Sequence, residues 1–152
     1  MTNILFVCTG NTCRSPMAAA LLRHLKATGD INVKSAGVYA MDGSEASRLA
    51  IEVLQEKGIE PNHSAALLTK EHIEWATHIL SMTSSHKQLI VDRFPEAGRK
   101  TWSLAEFASE NGGAQADVID PYGSTIETYR KTRDELEQLI ERVLKKLETK
   151  ER

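Results

Sequence analysis

The stretch that most constrains this chain runs from Ile4 to Met17 and reads Ile-Leu-Phe-Val-Cys-Thr-Gly-Asn-Thr-Cys-Arg-Ser-Pro-Met. Its apolar start, Ile4 to Val7, predicts a short buried strand with Cys8 at the carboxyl end. Gly10 and Asn11 follow, two residue types that accept positive φ more readily than others. Arg14 stands six positions after Cys8. Ser15-Pro16 then predicts a helix start, with serine as N-cap and proline at the first helical position. A loop of inward-facing N–H groups leading into a helix N-terminus is an oxyanion cradle. Arg14 adds a planar fork for two oxygens of a phosphate. The same amides, helix dipole and guanidinium favour a thiolate at Cys8, a nucleophile directly beneath a bound phosphorus. A cysteine and an arginine at this spacing mean little alone; the strand, turn, arginine and Ser-Pro start in one run carry the reading.

The 152 residues fit one domain spanning 1–152, large enough to bury a core. Hydrophobic content of 41% and charged content of 26% are ordinary for a soluble globular protein. A net charge of −2 gives no reason to expect nucleic acid or a membrane surface as partner. The apolar run after Met1-Thr2-Asn3 is too short for a secretory leader, and nothing approaches a transmembrane length. Cys8 and Cys13, the only cysteines, suit a reducing cytoplasm better than a disulfide scaffold. A cytoplasmic monomer is the expectation.

Along the chain, Met17, Ala20, Leu21, Leu22 and Leu25 recur at helical spacing until near Gly29. Ile31 to Val38 predicts a second strand, Tyr39 to Gly43 a loop, and Ser44 to Lys57 an amphipathic helix closed by Gly58. Thr69 to Ala76 predicts a short helix, His78 to Met82 a third strand, Ser84 to Phe94 a helix stopped by Pro95, and Thr101 to Leu104 a fourth strand. Glu106 to Asp117, with Asn111-Gly112-Gly113, reads as a looser stretch. Ser124 to Glu127 predicts a capping box, opening a helix with Ile126, Tyr129, Leu136, Ile140, Val143 and Leu147 as its apolar stripe. Its charged tail, Lys145 to Arg152, is expected to be a solvated, fraying end. Strands alternating with helices predict an α/β three-layer sandwich: a parallel sheet covered on both faces, with ligands bound beyond the strand carboxyl ends where Cys8 lies.

A leaving group needs a proton, and Asp117 and Asp120 are candidate acids. Asp120 is preferred because Pro121 stiffens the backbone after it and Gly123 permits a tight turn. A bound phosphate dianion would favour its protonated form. The five histidines, His24, His63, His72, His78 and His86, show no metal-ligand spacing with a cysteine, so neither metal nor cofactor is expected.

The run Val7 to Pro16 resembles the signature of the low-molecular-weight protein tyrosine phosphatases, and Asp120-Pro121-Tyr122-Gly123 extends the resemblance over most of the chain. The resemblance implies a four-stranded sheet of order 2-1-3-4. It also implies phosphorylated proteins as substrates and catalysis by Cys8, Arg14 and Asp120 through a phosphocysteine. It places Thr9, Gly10, Asn11, Thr12, Cys13, Met41 and Tyr122 against the substrate. Asn11 would shape the cradle through Ser35 and His63, and Ser15 would bond the thiolate. Cys13 could capture an oxidised Cys8 as a disulfide, or simply pack as a small buried residue.

Thr12 departs from the tyrosine-specific pattern, which has isoleucine or leucine there. Met41 stands where those enzymes tend to place an aromatic, Tyr122 is a single aromatic where mammalian members have two, and Ala66 and Thr83 replace an arginine and an aspartate. Fewer aromatic walls give less stacking for a phenyl ring, and a polar floor suits the guanidinium of phosphoarginine. The loop is similar to that of bacterial protein-arginine phosphatases, which oppose a protein-arginine kinase in stress signalling; phosphotyrosine is the alternative. Arsenate reductases share the loop but need further cysteines. A phosphoprotein-binding module would have less use for both Cys8 and Asp120, and a flavodoxin-like carrier less use for Arg14.

Overall fold

Thr2–Cys8 forms β1, paired in parallel with Ile31–Gly37 (β2) on one side and His78–Ser81 (β3) on the other. Thr101–Ser103 (β4) extends the sheet beyond β3, giving the order β2-β1-β3-β4. In this computed structural model the described residues are 2–26, 29–109 and 117–150. The helices are α1 (Arg14–Leu25), α2 (Arg48–Gln55), α3 (Lys70–Trp75), α4 (Ser84–Arg93), α5 (Leu104–Ala108) and α6 (Ile126–Lys150), with a 3₁₀ turn over Pro95–Lys100.

The apolar run of β1 is central because both of its faces are covered. Ile4, Phe6 and Cys8 meet Met17, Leu21, Leu22, Leu136, Ile140 and Val143 beneath α1 and α6. Leu5 and Val7 point the other way, to Ile73, Ala76, Ile90 and Ala97 beneath α3 and α4. Side chains that alternate along a strand can fill two cores only when helices lie on both sides of the sheet. The register sets Cys8 opposite Gly37, so the nucleophile leaves the sheet at its carboxyl edge. No described helix is long and apolar enough to cross a membrane.

Several element starts differ from the sequence expectation. α1 begins at Arg14, so Ser15 is not its N-cap and Pro16 is the third helical residue. The Ser15 hydroxyl is engaged by Cys8 and Asn11, and proline is tolerated anywhere among the first four unbonded N–H positions. α2 starts after Ser47, whose hydroxyl accepts the Ala50 N–H. Ser44 is instead paired with Ala65, whose N–H it accepts at 2.8 Å. Ser124 and Glu127 do not form the capping box: Thr125 Oγ1 accepts the Thr128 N–H at 3.4 Å, and the Ser124 hydroxyl donates to the Pro121 carbonyl. α5 occupies the start of the stretch expected to be loose, capped by Ser103 and Glu106. Asn111-Gly112-Gly113 and the last two residues of the charged tail lie outside the described residues.

Glu56, after α2, clamps that helix to α6. Arg130 donates to it from Nη2 at 2.6 Å and from Nε, and Arg133 Nη1 donates at 2.7 Å. Hydrogen bonds from Arg130, then from Arg133, hold the Glu56 carboxyl at about 2, below its ordinary 4.5. A depressed carboxylate stabilises the fold fully above its unfolded value and loses that contribution as pH falls through the folded one. Glu56→Gln should therefore lower the melting temperature at pH 7, with the gap to the parent closing between about pH 4.5 and 2 in a calorimetric series.

Candidate active site

The loop from Cys8 to Arg14 is held by Asn11, the one non-glycine residue among those described with positive φ, at 57°. Gly10 does not take this conformation. Asparagine tolerates it because its short amide can bond locally. Asn11 Nδ2 donates to Ser15 Oγ at 2.8 Å and to Ser35 Oγ at 2.9 Å, and its Oδ1 accepts the Ala66 N–H at 2.9 Å. His63 Nε2 donates to the Asn11 carbonyl at 2.6 Å. Burial lowers the His63 pKa from its ordinary value, the carbonyl contact opposing it. One fully buried side chain thus ties the loop to α1, to β2 and to the 63–66 segment.

The chemistry sits on the open side of this frame. Cys8, Thr9, Gly10, Thr12, Cys13, Arg14, Asp120 and Tyr122 line a cleft of about 310 Å³. Cys8 Sγ lies 2.8 Å from Ser15 Oγ. Because that oxygen accepts from Asn11, the serine proton is free to point at sulfur. Arg14 is 5% exposed; its Nη1 donates to the Val118 carbonyl at 3.0 Å and its Nη2 stands 3.6 Å from Asp120 Oδ2. Asp120 is half exposed, and its Oδ1 accepts the Tyr122 N–H at 3.0 Å in the turn that Gly123 completes at φ 78°. Asp117, the other candidate acid, accepts the Ser84 N–H at 2.9 Å at the start of α4. With its carboxylate spent there, it pins the segment that carries Asp120.

Of the residues expected against the substrate, two are not among those lining the cleft. Met41 is 77% exposed and is not among the residues lining the cleft. Tyr39, two positions earlier, hydrogen-bonds through its N–H to the Thr9 carbonyl at 2.9 Å. The Asn11 side chain is consumed behind the cradle and is not presented to it. Ser35 and His63 also stand behind the loop. Cys13 Sγ lies 3.3 Å from the Tyr129 hydroxyl and 3.5 Å from Ser47 Oγ, and both cysteines are free thiols. Burial and then the bond to Cys13 raise the Tyr129 phenol to about 12, keeping it a neutral donor. Among the described residues no His, Cys, Asp and Glu group has the arrangement of a metal site.

Sequence reasoning missed three contributors. Gly37 is needed because a Cβ there would stand 2.5 Å from the Thr9 carbonyl oxygen and 2.9 Å from the Asn11 nitrogen. Its place at the end of a strand beside a Gly-Asn loop was the only hint. Tyr129 belongs to the apolar stripe of α6, and its hydroxyl contact to Cys13 leaves no trace in that periodicity. His86 shows no distinguishing spacing among the histidines, although its Nε2 lies 2.8 Å from Thr9 Oγ1.

A thiol bonded to serine, a buried arginine and a half-exposed carboxylate around one cleft at the carboxyl edge of a parallel sheet define a cysteine-dependent phosphatase. The chain belongs to the low molecular weight phosphotyrosine protein phosphatase family, whose model matches residues 3–152. It is 60% identical over 148 residues to a protein-arginine-phosphatase of Geobacillus stearothermophilus, covering 97% of both chains. It is 44% identical over 147 residues to a protein-arginine-phosphatase of Bacillus subtilis, covering 95% of this chain and 96% of that one. A solved structure of a YwlE arginine phosphatase variant with a phosphorylated active-site serine superposes with a TM-score of 0.92 at 43% identity, over 97% of this chain and 96% of that one.

Asn11→Ala removes three side-chain hydrogen bonds and leaves alanine at φ 57°. It should cost about 2–4 kcal/mol of stability by denaturant titration and lower kcat/KM, because the loop loses its fixed shape.

Proposed function

We propose that the protein hydrolyses phosphoarginine in phosphorylated proteins through a phosphocysteine intermediate. The observation that carries the substrate choice is the Thr12 hydroxyl. Thr12 lines the cleft, and its described side-chain contact is a weak one, 3.8 Å to Cys13 Sγ. The hydroxyl is therefore left to accept from a guanidinium N–H, or to orient a water against one, where an aliphatic residue would instead pack on a phenyl ring. The likeness to two protein-arginine-phosphatases supports the same choice.

In the first step Cys8 Sγ attacks phosphorus, forming the S–P bond as the P–N bond breaks. Arg14 and the loop N–H groups hold the phosphoryl oxygens, and Asp120 gives its proton to the departing guanidine nitrogen. With Arg14 Nη2 turned to a phosphoryl oxygen, the partner it now has at 3.6 Å, Asp120, is freed for that role. In the second step the Asp120 carboxylate takes a proton from water as the oxygen attacks phosphorus. The S–P bond breaks, and phosphate and the Cys8 thiolate are regenerated. Ser15 holds the thiolate in both steps. Cys13, lining the same cleft, would resolve a sulfenate formed at Cys8 by peroxide, closing a disulfide with loss of water.

Three substitutions test this account. Cys8→Ser should abolish turnover. Asp120→Asn should lower kcat by roughly 10²–10⁴-fold, the ordinary reach of general acid–base catalysis. Thr12→Ile should lower kcat/KM on phosphoarginine peptides and raise it on phosphotyrosine peptides, whereas a parent that prefers phosphotyrosine would overturn the arginine assignment.

A further inference from the structure

His86 has no part in the steps above, yet it is buried in the first turn of α4 with both ring nitrogens engaged. Nε2 lies 2.8 Å from Thr9 Oγ1, and Nδ1 lies 2.9 Å from Thr83 Oγ1. Thr83 Oγ1 accepts the His86 backbone N–H at 3.0 Å and keeps its own proton available to donate to Nδ1, the arrangement adopted here. Nδ1 is then an acceptor, and the neutral ring carries its proton on Nε2; this tautomer is assigned from the network. Burial, helped by Arg14, pushes the imidazole down to about 4, while Asp120 and Asp117 pull the other way. The ring is uncharged at neutral pH. Nε2–H donates to Thr9 Oγ1, so the Thr9 hydroxyl proton cannot point back at the ring. It is free to turn into the cleft that Thr9 lines, one residue after the nucleophile.

We infer that His86 is a positioning residue acting through Thr9, whose hydroxyl it fixes as a donor to the phosphoryl group above Cys8. Thr83, His86 and Thr9 form a chain of aligned donors ending at that group. A donor already oriented costs no reorganisation as charge develops, which is how such groups favour the transition state over bound substrate. The role rests on the phosphatase reading of the cleft but not on the identity of the leaving group.

The test is a double-mutant cycle of Thr9→Val and His86→Leu, with His86→Gln as the conservative variant, assayed on p-nitrophenyl phosphate and a phosphoarginine peptide. Each disruptive single change should lower kcat by roughly 10–100-fold, about the scale of one lost oxyanion donor or less, with a smaller effect on KM. The double variant should be no slower than Thr9→Val alone. His86→Gln, which keeps an N–H near the Nε2 position, should stay within a few-fold of the parent. Nitrogen NMR of the parent should show the Nε2–H tautomer; because it needs no variant, it also covers a failure of His86→Leu to fold. Additive losses in the cycle, an equal loss in His86→Gln, or an Nδ1–H ring would each overturn the inference. A parent active only on p-nitrophenyl phosphate removes the arginine assignment and leaves the cycle readable. A parent inactive on both overturns the phosphatase reading and this role together.

Discussion

The site depends on Asn11, held at φ 57° by its own buried amide. Any other backbone conformation there would redirect the loop N–H groups, and any other side chain would leave Ser35 and the Ala66 N–H without this partner. The sheet prepares the ground for it. Residues 4–7 of β1 are sealed between two helical layers, and Gly37 on β2 lets the loop pass within reach of the neighbouring strand. The phosphate cradle is thus rigid because a strand buried on both faces ends beneath it, and curved because one asparagine bends it.

Hydroxyl groups then carry orientation from the frame to the reacting atoms. An amide donating to Ser15 leaves the serine proton for Cys8, and an imidazole donating to Thr9 leaves the threonine proton for the cleft. In both cases a buried donor behind the loop decides which way a hydroxyl faces. The opposite wall is set by charge. Asp117 is tied to the start of α4, Val118 to Arg14, and Asp120 stands free enough to pair with Arg14 or to serve a leaving group. The two aspartates, so close in sequence, are separated in role by what each one bonds.

The buried first strand and the position of Cys8 at its carboxyl end were legible from a long apolar run and a Gly-Asn loop, whereas the sheet order and the meeting of Arg14 with Asp120 were legible through the family resemblance. Helix starts were less so. Ser15 carries a cap signature but spends its hydroxyl on sulfur, and Ser44 is drawn into pairing with Ala65. Ser103-Leu104-Ala105-Glu106 forms a capping box, a sequence signal masked by the glycines downstream, which favour a loop. The place of Met41 beside the substrate rests on resemblance alone, and its side chain is exposed at the surface. His86 could not be picked out from sequence, because its meaning lies in Thr9, far away along the chain and adjacent only in space.

The most direct test of the account is to look for its covalent intermediate. Protein phosphorylated on arginine with radiolabelled phosphate would be mixed with the parent enzyme, quenched within the first turnover and digested for site mapping. The account predicts label on Cys8 that appears with release of the arginine side chain and decays as inorganic phosphate forms. Phosphate released with no labelled enzyme, or label on any other residue, would contradict it.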